Sequence, residues 1–533
     1  MGIKNLTSLF KKNTPLVIIL IIVGFITYKD CLNNPLFWDD EATIINNLFI
    51  RDFRYIKEMF TSGYHYGWGE KTNLYRPLAT LSFAIEYHLF KLNPKIYHLT
   101  NIILHIINSL ILFFLSQELF RLKKISFFIS LLYLIHPQAT EVVNYASHRP
   151  ELLMCLFFLL SFYTYIKFTK TNKKFFLFNS LFFYILSILS KEMGITLVLF
   201  LFFYNIFKLK KAFNKYLLFF IGIAFLYTGL RATCLNFLGV SLLKGPQFEP
   251  YSENLVERLL IFSKIFFIYI KIFFWPVGLH MERDIPYLKS PWEIKAILAS
   301  SSIIIMVGLL VIKRRKYPEE FLGGSWFLLS LLPVSGVIPI NTAIAEHYLY
   351  LPSIGFFMFI VNLIFKGYKK IRKNWFKYIF RSLILIIFIG ISCLTIKRNK
   401  EWNDPLTLYQ STAKYAKYSF RAHNNLGVEY FRRKNFRKAE YYFKKALNIN
   451  PNYAPALNNI GVIALRKGKV KEAISYYKKS KEKDPNYLLA YKNLAHLYIK
   501  LGLKKEAKKE LEDILQRFPY DQEAKRLLRI INK

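Results

Sequence analysis

Asp39, Asp40 and Glu41 stand consecutively in Phe37-Trp38-Asp39-Asp40-Glu41, about ten residues beyond an apolar stretch at 14–29. Carboxylates are scarce in this chain, with 34 Asp and Glu against 75 Lys and Arg in 533 residues. Three together beside a membrane-sized stretch can do two kinds of chemistry. One carboxylate can take a proton from an attacking hydroxyl, or neighbouring carboxylates can hold a divalent cation. Either would serve a group transfer from a lipid carrier at the bilayer surface.

Other polar residues recur at the ends of apolar stretches: Tyr75-Arg76-Pro77, Tyr97-His98, His105, His136-Pro137, Glu141, His148-Arg149, Lys191-Glu192 and Glu346-His347-Tyr348. Ionisable groups at membrane depth are costly and face a polar interior. Any one alone reads equally as an interfacial residue snorkelling to water. Arg76, Arg149, Lys191 and His347 can each hold a phosphate, and a nearby carboxylate can deprotonate an acceptor hydroxyl.

The elements that must position these groups are helical. The chain is 53% hydrophobic, with 51 Phe and 36 Tyr, and apolar segments recur from about residue 14 to 396. This composition predicts a polytopic membrane protein of about eleven spans, near 14–29, 98–118, 125–136, 151–166, 175–189, 193–207, 216–233, 296–312, 319–337, 348–365 and 378–396. The segment 258–279 carries Arg258, Lys264 and Lys271 on one helix face and reads as an interfacial or re-entrant helix. Within the 30–96 loop, Asp52–Thr61 and Pro77–Phe90 have the spacing of surface helices.

Basic clusters between the spans account for the +41 net charge by the positive-inside rule, and no motif for reading nucleic acid is present. The first apolar stretch follows Lys11-Lys12 and lacks a small-residue cleavage site, so it reads as a retained span. With the N-terminus cytoplasmic, the acidic trio, the other polar ends and the region after Arg398 fall on the extracytoplasmic side. Cys31, Cys155, Cys234 and Cys393 are dispersed, with neither a disulfide framework nor metal-ligand spacing.

From residue 420 a 34-residue register is plain. Gly427, Gly461 and Ala495 share it, as do Ala439, Ala473 and Ala507, and Pro451, Pro485 and Pro519. Small residues where paired helices touch, and Pro where the second helix stops, form the tetratricopeptide pattern. Three repeats at 420–453, 454–487 and 488–521 precede a closing helix at Asp521–Lys533, and Pro405–Ser419 reads as the helix of a degenerate earlier repeat. The expected division is 1–397 for the membrane domain, 398–419 for a linker and that helix, and 420–533 for the repeats. Such a stack binds extended peptide or a partner protein.

The motifs, in order, carry a resemblance. They are Phe37-Trp38-Asp39-Asp40-Glu41-Ala42 with Asn46-Asn47, Tyr75-Arg76-Pro77-Leu78, Tyr97-His98-Leu99-Thr100-Asn101 and His136-Pro137 with Thr140-Glu141-Val142-Val143. Ser190-Lys191-Glu192-Met193, Glu346-His347-Tyr348-Leu349-Tyr350-Leu351-Pro352-Ser353 and Arg398-Asn399-Lys400-Glu401-Trp402 follow. Together they resemble the transmembrane and tetratricopeptide-repeat O-mannosyltransferases and their bacterial relatives.

The resemblance implies an all-α fold, in which a multispan helical domain of the C-type glycosyltransferase fold leads into a tetratricopeptide α-solenoid. It also implies inverting transfer of a mannose-like sugar from a polyprenyl-phosphate carrier to a protein hydroxyl or other acceptor, with the site and repeats extracytoplasmic in a bacterial inner or plasma membrane. Asp39 or Asp40 would be the base. Adjacent loop residues usually point apart, so the other would orient structure. Arg76, His98, His136, Glu141, Arg149, Lys191, Glu192, Glu346, His347 and Tyr350 would bind donor phosphate or substrate. Where the resemblance leads one to expect Arg, this chain has His347, charged only part of the time near neutral pH. A divalent cation, magnesium or manganese, is left open, with Asp40 and Glu41 as its ligands if there is one. The implied partners are the lipid-linked sugar, an acceptor protein on the repeats and membrane lipid. A competing reading, a non-enzymatic membrane anchor for a repeat scaffold, leaves the dense polar set without a purpose. A transporter would need internal symmetry among the spans, which is not seen.

Overall fold

The computed structural model describes residues 3–69, 72, 74–209, 214–233, 254–284, 286, 288, 290, 292–337 and 342–532. Cys234 and residues 210–213, between two of the expected spans, lie outside them. Among the described residues all regular structure is helical.

Among the described residues five helical segments, Asn13–Asn33, Pro94–Phe120, Ala146–Thr171, Ile294–Lys313 and Asn374–Glu401, are long and apolar enough to cross a membrane, and Lys174–Ser190, Glu192–Ile206 and Leu217–Ala232 are shorter apolar helices. Twenty residues at 1.5 Å each span about 30 Å, the thickness of the hydrocarbon layer. Ile304 on one of these helices is 70% exposed, as suits a helix facing lipid. The chain is an integral membrane protein.

Each expected span coincides with a helix. The helix over 125–136 (Lys123–Ile135) has only 13 residues, about 20 Å at the helical rise. The surface helices are there as Ile56–Thr61 and Pro77–Phe90. The segment read as interfacial forms the 20-residue helix Leu255–Phe274. Two of its basic residues meet protein, with Arg258 Nε donating to the Gly336 carbonyl at 2.7 Å and Lys264 pairing with Glu293 at 3.0 Å, while Lys271 is exposed. Ile265, Phe266 and Tyr269, the first and last on the same side of the helix as Arg258, are buried in the main apolar cluster.

That cluster centres on Trp326, which is fully buried against Phe158, Phe162 and Phe200. The helices Pro318–Leu331 and Pro352–Lys370 approach backbone to backbone. A methyl group at Gly355 would lie 2.5 Å from the Gly323 carbonyl oxygen and 2.5 Å from the Phe327 nitrogen. Neither obstacle can rotate away. Gly355→Ala is expected to cost about 1–3 kcal/mol, seen as a lower unfolding temperature in detergent. Gly390→Ala, with nothing within 4 Å of the new methyl, should not lower it.

The helix Asn374–Glu401 runs past the expected boundary at 397, because Asn399 is tied inward. Its Nδ2 donates to the Thr27 carbonyl at 2.8 Å and its Oδ1 accepts from Asn144 at 2.6 Å. Trp402 is fully buried, and Pro405–Tyr415 leads into three helix pairs: Phe420–Arg432 with Phe436–Ile449, Ala454–Arg466 with Val470–Lys483, and Leu488–Lys500 with Lys504–Arg517. Gln522–Ile531 closes the stack. Ala439, Ala473 and Ala507 are fully buried, as helix contact requires.

The stack packs on the membrane domain. Phe37, Tyr145 and Met281 share an apolar cluster with Trp402, Tyr409 and Leu426. Farther along, Tyr520 packs edge-on against Phe49, Tyr55 and Tyr66. Both ends of the stack therefore contact the 30–96 loop, one at Phe37 and the other at Phe49, Tyr55 and Tyr66.

Candidate active site

The acidic trio sits on a backbone irregularity. Trp38 has φ +57, a left-handed conformation costing a non-glycine residue about 1–2 kcal/mol, and Glu41–Ile45 then forms a π-helical turn, a form frequent at functional sites. Trp38 is held against Tyr409, and the Asp39 amide donates to the Tyr145 hydroxyl at 2.5 Å.

The result separates the two aspartates. Asp40 is fully buried. Its Oδ1 accepts from the amide and hydroxyl of Ser147 at 2.8 and 2.5 Å, and its Oδ2 accepts from the Phe37 amide at 3.2 Å. Thr43 joins this network, with Oγ1 2.7 Å from Ser147 Oγ and donating to the Asp39 carbonyl at 2.8 Å. Asp39 is half-buried and lines a cavity of about 640 Å³, well within the range of ligand sites.

Burial raises the Asp40 carboxyl to about 7, against the opposing pull of its hydrogen bonds from Ser147 and Phe37. The proton is thus bound more tightly by the folded chain than by the unfolded one. The resulting stability is present in full below the ordinary carboxylate value and is lost as pH rises through about 7, by roughly 2–4 kcal/mol. Unfolding temperatures between pH 4 and 8 should show this decline, and Asp40→Asn should flatten it.

The cavity also takes in Arg76, Glu141, Lys191, Glu192 and His347, as expected from the sequence. Arg76 lies over the Tyr64 ring, 3.9 Å from Glu192, and its buried Nε has no hydrogen-bond partner. Lys191 is buried and pairs with Glu151 at 2.6 Å. His347 Nδ1 lies 2.7 Å from Glu141 Oε1. Burial, with Lys191 nearby, lowers His347 to about 3, so its neutral form prevails near pH 7 and it does not stand in for an arginine. Burial pushes the Glu141 carboxyl upward.

Other expected site residues lie elsewhere. Arg149 is fully buried and does not line the cavity. It pairs with Glu86 at 3.0 Å, donates to the Tyr97 carbonyl at 2.8 Å and to Asn101, and lies over Phe83. Glu346 accepts from the His280 amide at 2.8 Å and from Arg283 at 2.5 Å. His136 Nε2 is 3.1 Å from the Phe273 carbonyl. Tyr350 bonds His105 and Asn108, and His98 is fully buried. None of these five residues lines the cavity.

Glu41 pairs with Arg432 of the first repeat, and Asp40 is filled by Ser147 and Phe37. The expected cation ligands are therefore occupied. Among the described residues, the group able to hold a metal ion is Glu141, His148 and His347, whose ligand atoms all lie within 4.8 Å of one another.

The sequence reading missed Glu151 and Arg231 on the cavity, and also Arg421 and Tyr453 from the repeats, while Tyr348, named beside His347, lines it. Arg421 pairs with Glu282 at 3.0 Å, so the repeat stack forms part of the wall. One signal was available: Arg421 opens the first repeat, immediately after the linker. Behind it a string of side-chain amides crosses the stack. Asn493 donates to Asn458, Asn458 to Asn459, Asn459 to Asn424 and Asn424 to Asn425. Each amide keeps further hydrogen-bonding capacity.

Residues 420–453, 442–475 and 464–531 match models of the tetratricopeptide repeat. A protein O-mannosyl-transferase of Caenorhabditis elegans is 27% identical over 454 residues, covering 82% of this chain and 63% of its own length. The human protein O-mannosyl-transferase TMTC3 is 27% identical over 499 residues, covering 81% and 51%. The human TMTC1 is 25% identical over 486 residues, covering 81% and 54%. The chain thus spans about half to two thirds of these curated relatives, and the resemblance read from its motifs holds across most of its own length. Among solved structures, ArnT from Cupriavidus metallidurans bound to undecaprenyl phosphate is similar over 95% of this chain and 81% of that one, at 12% identity and a TM-score of 0.42. The Archaeoglobus fulgidus oligosaccharyltransferase is similar over 73% and 56%, at 11% identity and 0.42.

Proposed function

We propose that this chain is a membrane glycosyltransferase that moves a mannose-like sugar from a polyprenyl-phosphate carrier to a protein hydroxyl on the extracytoplasmic face, with inversion. The observation that carries the reading is one cavity in which the Asp39 carboxylate and the Arg76 guanidinium are both present, walled on one side by the repeats. The named activity of the relatives supports the reaction class.

The acceptor hydroxyl oxygen attacks the anomeric carbon as the bond from that carbon to the phosphate oxygen breaks. Asp39 takes the hydroxyl proton, and the phosphate leaves with the bonding pair as polyprenyl phosphate. Arg76 meets the charge growing on it, and Lys191, exchanging part of its contact with Glu151, adds a second cation. Asp40 acts as a positioning residue through Ser147. The repeats deliver the acceptor as an extended segment along the amide string, which ends one helical turn from Arg421.

The test is transfer of labelled mannose from a polyprenyl-phosphate donor to protein in membranes carrying the chain. Arg76→Gln should raise the donor KM at least about tenfold, the loss of one charge-assisted contact of roughly 1.5–3 kcal/mol. Transfer at an unchanged donor KM would remove Arg76 from the phosphate site, and absence of any transfer from a range of lipid-phosphate sugars would refute the activity.

A further inference from the structure

We propose that Glu141, His148 and His347 form a site for one divalent transition-metal ion of the zinc type, with an open coordination position on the cavity. The three come from separate elements: the short helix Thr140–Asn144, the turn Ala146–His148 and the turn Glu346–Leu349. Glu141 Oε1 is 2.7 Å from His347 Nδ1 and 3.7 Å from His148 Nδ1. A tetrahedral ion with bonds of about 2.0–2.1 Å sets neighbouring ligand atoms roughly 3.3 Å apart. Two of the observed separations fall on either side of that and the third is within 4.8 Å, so the ion would draw the two histidines together by up to about 1.5 Å.

Two further observations point to a ligand. Glu141 is 3% exposed and His148 9%, yet Glu141 Oε2 and His148 Nδ1 have no hydrogen-bond partner. Buried polar atoms are rarely left so. The local charges also leave room for a cation. Lys191, Arg76 and Arg283 are each matched by one carboxylate, Glu151, Glu192 and Glu346. Glu141 has no Lys or Arg within ion-pair distance among the described residues, and its only ion-pair partners there are the two histidines.

Two imidazoles and one carboxylate suit zinc, and cobalt in its place, better than magnesium, which requires mostly oxygen ligands in an octahedron. Three protein ligands leave the fourth position for an oxygen from the cavity, as in zinc sites that bind substrate. A phosphate oxygen fits that position, and this last step rests on the donor reading given above.

The full chain in nanodiscs tests the proposal. Elemental analysis after zinc loading and dialysis should find one zinc per chain, and cobalt should give the visible absorption of a four-coordinate ion. His148→Gln with His347→Gln should weaken zinc binding at least about 100-fold in a competition titration. His347→Arg, which restores a fixed cation, should also lose the ion while keeping the wild-type unfolding temperature. Wild-type chain that retains no zinc, or a double variant that binds it as wild type does, would overturn the site. Polyprenyl phosphate should bind the zinc-loaded chain about tenfold more tightly than the metal-free chain, in the Asp39→Asn variant as well. Equal lipid affinity with zinc bound overturns the phosphate role of the ion. Transfer lost in Asp39→Asn with zinc and lipid binding intact separates failure at the base from failure at the metal.

Discussion

Asp39→Asn is expected to lower the rate of sugar transfer by about 10²–10⁴-fold, the contribution of a positioned general base, with unchanged thermal unfolding. Asn fills the same volume but cannot accept the hydroxyl proton, and Asp39 is half-buried on a cavity rather than part of a packed core. Asp40→Asn is the contrast. An amide there sets an N–H against the Phe37 amide or against the two Ser147 donors. That should cost about 1–3 kcal/mol and reduce activity through the position of Ser147. Kinetics and unfolding measured on both variants decide between the aspartates. If Asp39→Asn keeps full activity while Asp40→Asn loses it at unchanged stability, the assignment is reversed.

The second large effect concerns Arg149. Arg149→Met is expected to destabilise the membrane domain by about 3–5 kcal/mol, the consequence of leaving a buried charge unpaired. Glu86, 7% exposed, would lose its partner, and the Tyr97 carbonyl and the Asn101 side chain would lose their donor. Glu86→Gln added to Arg149→Met should recover part of the loss, because it removes the orphaned carboxylate. Arg149→Met chain that unfolds at the wild-type temperature and binds donor weakly would instead make Arg149 a phosphate ligand.

These two residues show how far sequence reading carries. Arg149 and Arg76 are alike in type, in their place at helix starts and in their aromatic surroundings. Only the fold distinguishes them: Arg149 faces the 77–90 helix and Glu86, while Arg76 faces the cavity. Glu346 and His347 are adjacent, yet one is committed to Arg283 and the other to Glu141. Within a short turn, successive side chains leave in different directions, so a motif marks a neighbourhood without assigning each member to the cavity or the core.

The sequence by itself determined the helical class, the positions of the apolar helices and the register of the repeats, because those depend on local periodicity. Hydrophobic length and a 34-residue recurrence are properties of the chain read in order, and packing did not alter them. Tertiary structure decided the rest. It separated Asp39 from Asp40 through the left-handed Trp38, and it took the cation ligands away from Asp40 and Glu41. It also gathered Glu141, His148 and His347, and made Arg421 of the repeats a wall of the cavity. Apart from the turn at Trp38, each of these brings together residues from seven to several hundred positions apart. Whether such residues meet is set by which helix faces pack together, and no local spacing encodes that.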